Sequence, residues 1–265
     1  MIDRVTITGA DDSVRPEDLI ELTREFPFVE WGILASASST GRAARYPSWE
    51  WMIKLQAITT TKCPMQLSLH LCGRWVRNLI QGYRDQQLTD ATFFQFQRVQ
   101  LNFHAERTKC VPSAFAKCLR SIHGKDFIFQ LDGENGNKHL DSANEYEVPR
   151  CFGLFDVSGG AGILPAEWPT PIYLDVHPGE HGMGEEQWAY HGYAGGLGPE
   201  NLEAEIPRIL KAAAGNECTA EGRIWIDMET RVRSEDDRQF DLAKVRRCLE
   251  IASRFVAIPS PTESP

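Results

Sequence analysis

YAGGLGPENL, Tyr193 to Leu202, closes a strand, turns on paired glycines and opens a helix within ten residues. Trp188 to Ala194 before it reads as a strand, and Pro199 to Ala214 after it as a helix. Gly195 and Gly196 permit backbone angles that other residues resist. Backbone amides at such a strand-to-helix junction form an anion site with the helix dipole, so phosphate binding is the functional reading here and a plain structural turn the alternative.

Working outward, the same unit recurs. Arg223 to Met228 is a further strand, with a helix near Asp241 to Phe255. Toward the N-terminus, strands are expected at Val5 to Thr8, Phe28 to Leu34, Gln66 to Leu71, Gln97 to Phe103, Asp126 to Leu131 and Phe152 to Asp156. Helices are expected at Pro16 to Phe26, Trp49 to Ile58, Trp75 to Gln81 and Ser113 to Ile122. Eight strands, mostly followed by helices, in 265 residues predict an α/β protein, a single (β/α)8 TIM barrel over residues 1–257. A doubly wound sheet is the competing architecture. The proline-rich tail, residues 258–265, is expected to fray.

Composition narrows the classes. Apolar residues are 42% and charged residues 25%, the balance of a soluble globular protein. A net charge of −9 argues against a nucleic-acid or anionic-membrane partner, but leaves an anionic small substrate open. No apolar run is long enough to span a membrane, and the N-terminal stretch MIDRVTITGADDS lacks a signal-peptide core, so a cytoplasmic setting is expected. The seven cysteines are scattered, without a CxxC pair, which favours free thiols over a disulfide framework or zinc site. Asp175, His177 and His181 form D-x-H-x3-H within one loop, too weak a pattern to predict a metal. That loop could instead close over the barrel mouth. No metal or cofactor is expected, and oligomeric state is not readable.

Three segments resemble phosphoribosylanthranilate isomerases. LFDVSGGAG (Leu154 to Gly162) is similar to that family's sixth-strand motif, an aspartate leading to a glycine loop. YAGGLGPENL is similar to its seventh-strand motif. IDMETRVR (Ile226 to Arg233), with DLAKVRRCLEIA after it, resembles its last strand and helix. Weaker echoes lie in VTITG, ARYPS (Ala44 to Ser48) and VQLNF. The resemblance covers most of the chain and implies the barrel. It also implies an Amadori-type rearrangement of a phosphoribosylamine, in which a proton leaves the sugar C2.

By the same resemblance Asp156 is the general acid, Arg45 holds substrate, and backbone after strands seven and eight, at Gly195, Gly196 and Thr230, holds phosphate. Gly159 and Gly160 would line the substrate. Two positions depart. Thr8 stands where the family's basic cysteine is expected, and a threonine hydroxyl is a poor base unaided. Arg231 replaces a glycine of the eighth-strand motif, and would either block the pocket or grip an anion with its guanidinium.

If the fold is a barrel, the chemistry belongs at the C-terminal strand ends, a filter that also selects Asp11, Ser36, His70, Asn102, His104, Asp132, Asp227 and Glu229. His70 or His104 could replace the missing base, or be structural. Asp11 and Asp12 could supply a carboxylate beside Thr8, or sit in a solvated loop. Asp156 itself could merely order its loop. Trp49, Trp168 and Tyr193 are expected near the mouth, facing a planar substrate group. Two readings stay open: an isomerase-like enzyme acting on a phosphorylated sugar, or a lapsed barrel that binds a phosphorylated ligand as a sensor or accessory protein.

Overall fold

The structure, a computed structural model, describes residues 1–103, 108–131, 134–156, 162–170, 190–214 and 223–256. The strands are β1 (Ile2–Thr8), β2 (Val29–Ser36), β3 (Gln66–Cys72), β4 (Arg98–Leu101), β5 (Asp126–Leu131), β6 (Cys151–Asp156), β7 (His191–Ala194) and β8 (Ile224–Met228). All pair in parallel and in sequence order, and β8 returns to β1, so the sheet closes into a barrel. The helices are α1 (Asp18–Glu25), α2 (Trp49–Thr61), α3 (Arg74–Ile80), a single turn α4 (Asp90–Phe93), α5 (Pro112–Arg120), α6 (Glu134–Glu145), α7 (Leu202–Ala214) and α8 (Leu242–Ala252). This is a (β/α)8 TIM barrel, and the doubly wound alternative is excluded by the β1–β8 pairing. No helix among the described residues is long and apolar enough to cross a membrane. The expected tail lies outside the described residues.

Local chemistry sets the helix starts. Ser48 caps α2 by accepting from the Trp51 amide, and Asp12 in turn holds the Ser48 hydroxyl at 2.6 Å. Asp241 caps α8 through the amides of Ala243 and Lys244. Pro112 opens α5, where its missing N–H leaves no helical bond unmade. Each helix lays an apolar face on the outward side chains of the strands. Val5, Ile7, Trp31, Ile33, Leu69, Val99, Phe129 and Tyr193 all belong to that buried layer.

The inward side chains are the alternate residues, and they are unusually polar. At the bottom, Arg98 donates to Glu30 at 3.0 Å, and both are almost fully buried. Arg4 and Thr6 bond the same carboxylate at 2.8 and 2.9 Å. The Arg98 guanidinium lies 4.2 Å from the centre of the Trp225 ring. A small apolar cluster of Ile128, Leu154, Ala194 and Trp225 fills the middle of the barrel. Gly192 makes room for that tryptophan, since an added Cβ would stand 2.1 Å from the indole.

Candidate active site

The C-terminal ends of the strands surround a cavity of about 530 Å3. Its wall takes Gln100 and Asn102 from β4 and its exit, Gln130 from β5, Asp156 from β6, and Asp227 from β8. Arg45 and Tyr46 enter from the β2–α2 loop, and Gly195 to Leu197 and Glu229 to Arg231 from the loops after β7 and β8. Its lining combines carboxylates and amides with a backbone turn and an arginine.

Asp156 occupies the expected place. It is buried at the cavity wall, and Gln130 Nε2 donates to its Oδ2 at 2.6 Å. That bond fixes the orientation of the Gln130 amide and leaves Gln130 Oε1 buried without a partner among the described residues. Gly159 and Gly160, next along the chain, lie outside the described residues.

Thr8 is not at the cavity wall. It is buried, and its hydroxyl donates to Asp227 Oδ1 at 2.7 Å. Gly32, opposite on β2, gives it space: an added Cβ would stand 2.2 Å from Thr8 Oγ1 and 3.0 Å from His70 Nε2. His70 shares this interior layer. Burial and the nearby Arg98 charge push it down to about 3, so it is a neutral imidazole, and its Nε2 is buried without a partner among the described residues. His104 and Asp132 lie outside the described residues.

Three acidic groups converge. Burial raises the Asp227 carboxyl well above the ordinary range. The Thr8 hydrogen bond opposes this, and the charges of Glu229, Glu30 and Asp156 reinforce it. Burial also raises Glu229, against the pull of Arg45, whose Nη1 lies 2.7 Å from Glu229 Oε1. Cys72 adds a thiol to the wall. Burial pushes it up to about 12, and Tyr46 and Asn102 both donate to its sulfur, so it is a neutral thiol rather than a nucleophile.

Arg45 reaches the cavity, but its charge is already engaged. Its Nε lies 2.8 Å from Asp237 Oδ2, its Nη1 binds Glu229, and its amide donates to Asp11. The residue sits at φ 73°, a left-handed conformation held by these contacts. Asp11 is therefore structural and not a base beside Thr8. It also accepts from the fully buried Arg233 at 2.7 Å. Asp12 is spent on Ser48.

The anion end has its own logic. Gly195 and Gly196 stand at φ 126° and 62°, open to glycine alone without strain. Gly196 also meets the preceding loop backbone to backbone, since an added Cβ would lie 2.7 Å from the Gly162 carbonyl. Asn201 locks the turn: its Oδ1 accepts from the Gly198 amide at 2.9 Å and its Nδ2 donates to the Gly196 carbonyl at 2.8 Å. The Gly198 amide is thus taken, which narrows the expected anion cradle to Gly195 through Leu197. Thr230 accepts from Arg45 at 3.2 Å and packs on Gly162. Arg231 does not block the cavity. It is exposed at the rim and lies over Gly198, where an added Cβ would stand 2.4 Å from the Arg231 Cβ. Its guanidinium makes no ion pair among the described residues.

The aromatic expectation is corrected. Tyr193 alternates with the inward Gly192 and Ala194, so it points outward into the helix layer. Trp168 packs edge-on against Tyr193 and bonds Glu205 of α7 at 2.8 Å. Trp49 packs on Trp75 between helices. Among the described residues, the aromatic side chain at the cavity is Tyr46. Sequence reasoning also passed over Gln100, Gln130 and Cys72. The signal was present: polar residues two apart in a buried strand, as in Arg98, Gln100 and Asn102, mark the inward face. Asp175, His177 and His181 lie outside the described residues, and among the described residues no cluster of three or more potential metal ligands occurs.

No family model matches the chain, and no curated protein sequence does. Solved structures do. Monomers generated from the dimeric phosphoribosylanthranilate isomerase of Thermotoga maritima superpose with a TM-score of 0.52 at 15% identity, over 96% of this chain and 100% of that one. The N-(5′-phosphoribosyl)anthranilate isomerase of Pyrococcus furiosus gives 0.48 at 13% identity, over 95% and 98%. Phospho-2-dehydro-3-deoxyheptonate aldolase of Thermotoga maritima gives 0.49 at 9%, over 96% and 69%. At 15% identity the first of these likenesses shows the fold alone, a TIM barrel like that of the Thermotoga maritima isomerase.

Proposed function

We propose that the chain is an isomerase-like enzyme for a phosphorylated sugar, moving a proton between adjacent carbons of a phosphoribosylamine-type substrate. The observation that carries this reading is one cavity with two unlike kinds of wall. It holds the buried Asp156 and, after the neighbouring strand β7, the left-handed Gly195–Gly196 turn with Arg231, whose guanidinium makes no ion pair among the described residues. A phosphate at the turn would meet backbone N–H groups, the Thr230 hydroxyl and the Arg231 guanidinium, the donors an anion needs. The sugar would then extend toward Asp156, which would protonate the ring oxygen as the general acid. Gln100, Asn102 and Gln130 supply the amide groups that recognise sugar hydroxyls.

One observation favours a second reading, a barrel that binds a phosphorylated ligand without turning it over. Thr8 is buried and already donating, so the strand end that should supply a base supplies none. Turnover of N-(5′-phosphoribosyl)anthranilate by the purified protein, together with growth of a tryptophan auxotroph lacking that isomerase, separates the two. The enzyme reading expects turnover. Tight binding of ribose 5-phosphate with no turnover of any phosphoribosylamine would leave the binding reading standing in its place.

A further inference from the structure

We propose that Asp227 is the group that accepts the substrate proton, and that Thr8 is the positioning residue that orients it; this rests on the isomerase reading above. The other candidates at the cavity are committed elsewhere. Cys72 is a neutral thiol that accepts from Tyr46 and Asn102. Glu229 is paired with Arg45 at 2.7 Å. Asp156 is held by Gln130 and serves as the acid. His70 lies below the cavity wall and is a very weak base.

Asp227 differs from all of these. It lines the cavity, it is 7% exposed, and it makes no ion pair among the described residues. Its one hydrogen bond among the described residues comes from Thr8, onto Oδ1. Oδ2 is left as the oxygen available to a substrate. Desolvation and the neighbouring carboxylates raise its proton affinity above that of an ordinary carboxylate, which strengthens it as a base. Strands β6 and β8 both flank β7, so Asp156 and Asp227 stand two strands apart at one mouth.

The step balances without a further reactant. Asp156 gives its proton to the ring oxygen, the C1–O bond breaks, and the amine lone pair forms the C1=N iminium. Asp227 then takes the C2 proton. The C–H pair becomes the C1=C2 bond, and the iminium pair returns to nitrogen. Tautomerisation of the resulting enol, with loss of the hydroxyl proton at C2 and gain of one at C1, gives the ketose. Thr8 moves no proton; it fixes the carboxylate in the plane that reaches C2.

The test uses the full chain, N-(5′-phosphoribosyl)anthranilate and related phosphoribosylamines as substrates, and ribose 5-phosphate as a binding probe. Asp227→Asn is isosteric and keeps an acceptor for Thr8. It should lower kcat by about 10^2 to 10^4, the span of general-base contributions, while ribose 5-phosphate affinity stays within about twofold. Thr8→Val should move the ascending limb of the kcat/KM profile to higher pH, because it removes the bond that favours the ionised carboxylate. Thr8→Ser should restore it. Wild-type turnover with an equally active Asp227→Asn overturns this proposal alone. A wild type that binds ribose 5-phosphate but turns over nothing overturns the isomerase reading and the proposal with it. Neither binding nor turnover removes the phosphorylated-ligand reading as well.

Discussion

Gly32→Ala tests the packing beneath the cavity. Gly32 has no positive φ, so its backbone accepts alanine, and backbone entropy alone would make the change stabilising by about 0.4–1 kcal/mol. Space decides otherwise. The new Cβ would stand 2.2 Å from Thr8 Oγ1 and 2.8 Å from His70 Cε1. Forcing an extra methyl into a packed interior costs about 1–3 kcal/mol. Displacing Thr8 also breaks its bond to the Asp227 carboxylate, worth about 1.5–3 kcal/mol. The net expectation is a loss of about 2–5 kcal/mol, read as a fall in Tm of about 5–15 °C. Urea unfolding of the wild type, Gly32→Ala, Thr8→Ala and the double variant measures it. Because Thr8→Ala removes the atom in closest contact, the double variant should cost less than the sum of the singles by about 0.5–3 kcal/mol. A neutral or stabilised Gly32→Ala, with strictly additive doubles, would refute the close approach of Gly32, Thr8 and His70.

Three further outcomes are expected. Asp227 is raised in the fold, so its contribution is fully present below the ordinary carboxylate pKa and is lost as pH rises through the folded value. Asp227→Asn should therefore be more stable than wild type at pH 7–8, with the gain vanishing near pH ~3.8, as pH-dependent denaturation would show. His70 is lowered from 6.5 to about 3, so on acidification across that window the unfolded chain binds a proton the fold refuses. Stability should fall by about 1.4 kcal/mol per pH unit there, and His70→Gln should flatten the slope in the same experiment. Arg231→Ala should weaken ribose 5-phosphate binding about tenfold or more by calorimetry, the loss of a charge-assisted bond, while leaving Tm unchanged because the side chain is exposed.

The barrel was legible because its grammar is local. Strands are mostly short runs with apolar residues at least at every second position, most connections carry a glycine or proline, and the count of eight follows. Boundaries moved by a few residues where frayed turns carry the signal, as at Pro199, where the turn held by Asn201 precedes the helix proper. Helix α6 was missed because Asn and Gly in its first turn argue against a helix. It forms because Leu140 and Ala143 bury one face and His139 stacks 4.6 Å from Phe103.

The site was legible only in part. Asp156, Arg45, Gly195, Gly196, Thr230 and Arg231 do gather at one cavity. Thr8 does not line it: the side chain is buried and its hydroxyl is spent on Asp227. Which carboxylates face one another, and which arginines are already neutralised, depends on contacts between residues nearly two hundred positions apart, such as Arg45 with Glu229 and Asp237. Residue order along the chain carries no record of those pairings.

The most direct test of the central claim is a crystal of the full chain soaked in ribose 5-phosphate. The account predicts phosphate density against the Gly195–Gly196 turn, within reach of Thr230 and Arg231, with the sugar directed toward Asp156 and Asp227. An empty cavity, with the Arg231 side chain folded over those amides, would contradict it.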